Sequence, residues 1–121
     1  FSMAAIIAAI ENGGAWVPGF MRQLEDAYRK MPQAFSEDPV EAFKRNIYVS
    51  PFHEDDISEL VDLLGADHLL FGSDYPHPEG LAEPCSYLDH LPADLSQDDV
   101  AKIMGGNLAG LMRVDAARSA R

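Results

Sequence analysis

The sequence predicts an α/β fold built around a parallel sheet. Three observations predict it: short apolar runs recur along the chain, helical patterns separate them, and polar residues follow each run directly. Strands that alternate with helices across short loops are typical of βαβ units, whose strands pair in parallel. The predicted order of the main elements, without two short helical segments, is β-α-β-α-β-α-α, in a single domain over residues 1–121.

The first strand and the first two helices are predicted as follows. Residues 3–10 form a continuous apolar run, which suits a strand buried on both faces, although the alanines also permit a helix. A helix over residues 16–31 follows, with one apolar stripe. Its members are Trp16, Phe20, Leu24 and Tyr28. A short helical turn over residues 36–44 begins with Ser36 as its cap.

The middle of the chain predicts two more strands and the helix between them. Residues 46–50 are rich in strand-forming side chains. Asp56, with Glu59 three positions later, has the form of a capping box, and Gly65 suits the residue that ends the helix. Residues 68–72 are then the third buried strand.

The last third of the chain predicts a polar loop over residues 73–84 and three helices. A short helix spans residues 85–91, and a second begins at Ser96 and stops at the Gly105-Gly106 pair. Asn107 caps a final helix over residues 108–114, and the tail beyond it is expected to fray.

Composition limits the class of partner. The formal net charge is −11, which argues against binding nucleic acid or an anionic membrane. The chain has no apolar segment of the ~18 residues that a membrane span requires. Its lone cysteine, Cys85, cannot form an intrachain disulfide, so a cytoplasmic location is expected. A buried or incidental thiol is the better interpretation of Cys85 than a nucleophile.

Polar residues at the ends of the predicted strands form the candidate site. In parallel α/β folds, reactive groups lie just past the carboxyl ends of the strands. Three segments occupy such positions, namely residues 11–14, 50–54 and 73–77. The sequence therefore predicts that these three segments meet at one edge of the sheet.

Asp74 is the strongest candidate in this group. Its carboxylate can bind a divalent metal or take a proton from bound water, but it can equally cap a turn. His77 can contact a substrate anion, or it can be a solvated loop histidine. Glu11 projects from a strand end toward the same region. His53 can contact substrate or help to start the helix that follows.

Three blocks of the sequence resemble the amidohydrolase-related family, which includes the aminocarboxymuconate-semialdehyde decarboxylase-like enzymes. Residues 69–80, LLFGSDYPHPEG, are similar to the motif of the family's last strand. Residues 11–18, ENGGAWVP, resemble the turn after its sixth strand, and residues 103–111, IMGGNLAGL, resemble its closing helix. The blocks occur in the family's order and span nearly the whole chain.

The resemblance implies the C-terminal part of a (β/α)8 TIM barrel, about strands 6–8 with their helices. It implies a divalent metal, usually zinc, with Asp74 as metal ligand and proton-transfer group. The reaction would be hydrolysis or non-oxidative decarboxylation of a small organic acid. Many decarboxylases of the family have a histidine after strand six, where this chain has Glu11 and Asn12.

The resemblance also implies that most of the metal site lies outside this chain. The family's His-x-His on strand one and its mid-barrel histidine have no counterpart here, and a barrel needs about 250 residues. We therefore expect the segment alone to be inactive, and to associate with the missing half-barrel or with copies of itself. Two alternatives stay open: a non-catalytic binding or assembly module, and a small stand-alone enzyme that uses Asp74, His77 and Glu11 without metal.

Overall fold

A computed structural model describes residues 5–114. Two short strands, β1 (Ile7–Ala9) and β2 (Ile47–Val49), pair in parallel, with Ile7 opposite Ile47 and Ala9 opposite Val49. The connection between them contains two helices, α1 (Val17–Lys30) and α2 (Pro39–Asn46). The predicted parallel pairing of the first two strands is confirmed.

The third predicted strand is reduced to a single bridge. Residues Ala66–His68 form a 3-10 turn, and only Leu69 makes a parallel bridge, to Val49. The backbone N–H of Leu70 still donates to Val49, but that of Phe71 donates to the carbonyl of Ile103 instead. The ladder ends there because the next donor turns toward the C-terminal segment.

The first strand is also shorter and more exposed than predicted. It covers only Ile7–Ala9, and residues 3 and 4 lie outside the described part of the chain. Ile7 is 53% exposed, so the expectation of burial on both faces is wrong for the described residues. β2 covers one edge of this strand, and no described element pairs with its other edge.

The first two helices lie where the sequence predicts them, with two corrections. The buried face of α1 is formed by Val17 and Met21, whereas Phe20 from the predicted stripe is 39% exposed. The cap of α2 is Asp38, not Ser36, because the Asp38 carboxylate accepts a hydrogen bond from the N–H of Val40.

The third helix, α3 (Ile57–Leu64), confirms its prediction. Asp56 caps it by accepting a hydrogen bond from the N–H of Glu59 at 2.9 Å. Gly65 ends it with a φ of +82°, in the left-handed region that glycine adopts without a steric penalty.

The C-terminal third is helical, as predicted, but differs in detail. A 3-10 helix spans Pro84–His90, and Ser96 caps α4 (Gln97–Ala101). The Gly105-Gly106 pair interrupts the helical path, as predicted, because the backbone of Gly105 is non-helical (φ 171°, ψ −25°). This kink lies within the segment Lys102–Gly106 and separates α4 from α5 (Asn107–Leu111). The predicted fraying falls on residues 115–121, outside the described part.

Asn107 does not cap the last helix. Its side-chain amide donates to two backbone carbonyls, those of Ala66 at 2.7 Å and Leu69 at 2.8 Å. These carbonyls flank the point where the third predicted strand begins. Asn107 therefore ties the C-terminal helices to the sheet.

The core lies between the sheet and the helices. It draws side chains from α1, α2, α3, β2 and the C-terminal segment. The buried hydrophobic members are Val17, Met21, Val40, Phe43, Val49, Ile57, Leu60, Leu64, Ala66, Leu69, Tyr87 and Ile103. Within residues 5–114, no helix is both long and apolar enough to cross a membrane.

Candidate active site

An open cleft of about 210 Å³ lies at the carboxyl ends of the strand segments. Residues from all three predicted strand-end segments line it, together with residues that flank them. The lining residues are Ile10, Glu11, Ser50, Phe52, Gly72, Asp74, Tyr75 and His77. The structure therefore confirms the prediction that the three segments meet at one edge of the sheet.

Glu11 lies on an exposed turn directly after β1. Its φ is +63°, and that of Gly13 is +60°, so the turn contains two left-handed residues. A non-glycine residue in this region pays a steric cost, and such residues cluster at functional sites. The indole N–H of Trp16 donates to the carbonyl of Gly13 at 3.0 Å, which closes the turn onto α1.

Asp55 connects the Glu11 turn to the loop after β2. One of its carboxylate oxygens accepts hydrogen bonds from the N–H groups of Gly14 at 2.6 Å and Phe52 at 2.8 Å. A Cβ at Gly13 would lie 2.6 Å from the Phe52 ring, so only glycine fits the close contact between the two loops. Asp55 therefore fixes the Glu11 side of the cleft relative to Phe52.

Ser50 occupies the floor of the cleft between the two outer segments. Its N–H donates to the carbonyl of Ala9, which carries the β1–β2 pairing one residue beyond β2. The residue is 8% exposed, and its hydroxyl oxygen would lie 2.8 Å from a Cβ at Gly72. Gly72 thus leaves room for the serine hydroxyl beside the cleft.

Asp74 lies on a loop that folds back on itself. Its φ is +56°, and its carbonyl accepts a hydrogen bond from His77 N–H at 2.9 Å. The carbonyl of Ser73 accepts from Leu81 N–H at 2.8 Å, which closes the loop. A Cβ at Gly80 would overlap the carbonyl oxygen of Asp74, so glycine is required where the two ends of this loop approach each other.

The same loop brings together three side chains that could hold a divalent metal. One ligand atom from each of Asp74, His77 and Glu79 lies within 4.8 Å of the others. Asp74 is half-buried, whereas His77 and Glu79 are exposed and face each other at 4.0 Å. Carboxylate and imidazole are ordinary zinc ligands, so the residues present fit such a metal.

The three predicted site residues therefore meet at one cleft, and the other candidates do not join them there. His53 packs against His90, with ring centroids 4.9 Å apart. His68 is structural, because its Nδ1 lies 2.9 Å from the carbonyl oxygen of Ile47. Cys85 is exposed rather than buried, which leaves it as an incidental thiol.

Sequence reasoning missed two residues that shape the site, Asp55 and Gly80. Asp55 stands in an acidic run at a helix start, where its neighbour Asp56 makes the obvious cap. The available signal was an aspartate in the loop after the second strand, five residues beyond its predicted end, together with the double glycine that follows the first strand. No sequence signal marks the close approach at Gly80, because the approach depends on how the loop folds.

Comparison with known proteins gives the family. A family model described as Amidohydrolase matches residues 10–110. A crystal structure of an amidohydrolase from Mycobacterium avium subsp. paratuberculosis K-10 is 42% identical, with a TM-score of 0.84 over 88% of this chain. The chain belongs to the amidohydrolase family. Members of this family are generally metal-dependent.

A second solved structure shares the fold at lower identity. It is 5-carboxyvanillate decarboxylase from Sphingomonas paucimobilis, 22% identical, with a TM-score of 0.63 over 84% of this chain. This amidohydrolase-family chain spans 28% of the mycobacterial protein and 32% of the decarboxylase, which corresponds to part of a TIM barrel. No curated protein matches the chain.

Proposed function

We propose that this chain supplies the closing part of a (β/α)8 barrel, about strands 6–8, to a metal-dependent enzyme. The enzyme would act on a small organic acid by hydrolysis or by non-oxidative decarboxylation. The observation that carries the proposal is the cleft at the carboxyl ends of the strand segments, which Glu11, Asp74 and His77 line together. Membership of a family with both reaction types supports it.

Asp74 would act as a metal ligand and proton-transfer group. Its carboxylate stands half-buried at the cleft, and the hydrogen bonds of the 73–81 loop hold its backbone. A carboxylate held in one place can keep a metal, or accept a proton from a bound water, without losing free energy to reorganisation. A zinc ion, when bound, would polarise the substrate or lower the pKa of a bound water.

His77 and Glu11 would act on the substrate from opposite sides of the cleft. His77 is exposed at the mouth, where an imidazole can donate a hydrogen bond to a carboxylate of the substrate. Glu11 lies on the turn that follows β1, where its carboxylate can accept a hydrogen bond or a proton. Phe52 and Tyr75 add apolar surface for the body of a small organic molecule.

The remaining metal ligands would come from outside this chain. Catalytic zinc sites use three protein ligands, and Asp74 is the half-buried member of its group. β1 offers an edge without a described partner and exposed apolar side chains at Ile6, Ile7 and Ile10. An unpaired edge of this kind accepts another strand, so association with the missing half-barrel, or with further copies, would complete the site.

The zinc content of a completed barrel tests this proposal. The chain would be co-expressed with the portion of the mycobacterial relative that it does not match, and the complex analysed for zinc. We expect bound zinc that Asp74→Asn removes and that Asp62→Asn, an exposed acid on α3, leaves in place. Zinc that survives Asp74→Asn would contradict the assigned ligand. A stable complex without zinc would favour the alternative, a non-catalytic assembly module.

A further inference from the structure

A pair of histidines lies beside the cleft, outside the proposed catalytic group. His53 follows β2 in the loop that leads to α3, and His90 ends the 3-10 helix Pro84–His90. Their ring centroids are 4.9 Å apart, with the ring planes inclined at 64°. The His53 side chain is 22% exposed and His90 is exposed, so solvent ions can reach the pair.

A buried hydrogen bond holds the two segments together. The hydroxyl of Tyr87 donates to the carbonyl of Pro51 at 2.9 Å, and Tyr87 is fully buried. Tyr87 lies one helical turn before His90, and Pro51 lies two residues before His53. The hydrogen bond therefore fixes the segments that carry the two imidazoles, and their contact does not depend on flexible surface side chains alone.

We propose that His53 and His90 form a binding site for a late transition-metal ion such as Zn²⁺, Ni²⁺ or Cu²⁺. Imidazole nitrogens are preferred ligands of these ions. With metal–nitrogen bonds of about 2.0–2.1 Å, two imidazoles on one tetrahedral ion have ring centroids about 5 Å apart. The observed separation of 4.9 Å matches that spacing.

Glu54 stands where it could support such a site. Its carboxylate lies 3.5 Å from Nδ1 of His53. Histidines that bind metals usually donate their second ring N–H to a carboxylate, which fixes the tautomer and raises the basicity of the ligating nitrogen. A hydrogen bond from Nδ1 of His53 to Glu54 would leave Nε2 free to bind the ion.

The site has two protein ligands and open coordination positions. The pair is separate from the Asp74, His77 and Glu79 group, the one cluster of three possible metal ligands within residues 5–114. Water or a small anion would fill the remaining positions. His53 and Glu54 also line a second cleft beside Asp74 and Glu79, so an ion here would add positive charge close to the catalytic cleft.

Metal titration of the untagged chain tests the proposal. Isothermal titration with Ni²⁺ would be done on the unmodified protein, on His53→Gln and on His90→Gln, with far-UV circular dichroism to verify folding. We expect a saturable site that either histidine substitution removes and that Asp74→Asn leaves intact. Glu54→Gln should weaken binding about tenfold, as the loss of such supporting groups does.

A spectroscopic measurement keeps the test valid if a variant fails to fold. The electron paramagnetic resonance spectrum of the Cu²⁺ complex of the unmodified chain should show hyperfine splitting from two nitrogen ligands. Binding that both histidine variants retain, or a Cu²⁺ spectrum without nitrogen splitting, would overturn the proposal. Binding that only Asp74→Asn abolishes would overturn it too, while supporting the proposed catalytic metal site.

Discussion

The carboxylate of Asp55 accepts a hydrogen bond of 2.6 Å from the backbone N–H of Gly14, 41 residues earlier in the chain. The same oxygen accepts the N–H of Phe52 at 2.8 Å, so one charged group satisfies two donors from different loops. Hydrogen bonds to an ionised acceptor are stronger than those between neutral groups. Asp55 is thus the structural link between the two loops that form one side of the cleft.

Removing this link should destabilise the chain more than removing a helix cap. Asp55→Ala leaves the N–H groups of Gly14 and Phe52 without their acceptor, and we expect a loss of about 2–4 kcal/mol in the free energy of unfolding. The matched control is Asp56→Ala, which removes only the cap of α3 and should cost about 1 kcal/mol. Urea denaturation measures both. Equal losses would show that the link between the loops adds nothing beyond a cap.

Gly80 should be intolerant of even one added methyl group. In Gly80→Ala the Cβ would overlap the carbonyl of Asp74 and lie 2.8 Å from that of Ser73, so the loop backbone must move. We expect amide chemical-shift changes in NMR spectra that include Asp74 and His77. Gly110→Ala in α5 is the control, because its Cβ meets nothing within 4 Å and alanine favours a helix by up to about 1 kcal/mol. An unchanged loop spectrum in Gly80→Ala would contradict this close approach.

The sequence predicted the elements whose signal is local. The cap of α3 at Asp56, its end at Gly65 and the alternation of the first two strands with helices follow from side chains close to one another in sequence. The location of the cleft was also predictable, since parallel strands place their carboxyl ends at one edge. Glu11, Asp74 and His77 meet there for that reason.

The features that were missed depend on contacts between distant segments. The third strand shrinks to a bridge because Phe71 N–H donates to Ile103, 32 residues later, and no local pattern encodes that choice. Asparagine is a common helix-capping residue, yet the side-chain amide of Asn107 donates to the backbone carbonyls of Ala66 and Leu69. The exposure of β1 also could not be predicted. An apolar run indicates that a strand is normally buried by other segments, but it does not indicate which segments those are.

The amide of Asn107 should contribute to stability through its two carbonyl partners. Asn107→Ala leaves the carbonyls of Ala66 and Leu69 without this donor, and we expect the free energy of unfolding to fall by about 1–3 kcal/mol. Asn12→Ala is the control, since Asn12 is exposed and its loss should change stability by less than about 0.5 kcal/mol. Thermal denaturation compares the two, and a similar midpoint for both variants would refute the assigned role.

Tyr87 should resist ionisation at alkaline pH. Burial, and then the nearby negative charge of Asp55, raise the pKa of the Tyr87 phenol above its ordinary value. A raised pKa means that the folded state holds the proton more tightly than the unfolded state. The resulting stabilisation is complete below about pH 10 and is lost as the pH rises toward the pKa of the folded state. Ultraviolet titration should therefore show a phenolate signal that appears only as the chain unfolds. Tyr87→Phe should abolish that delayed signal, whereas Tyr75→Phe, at an exposed position, should leave it unchanged.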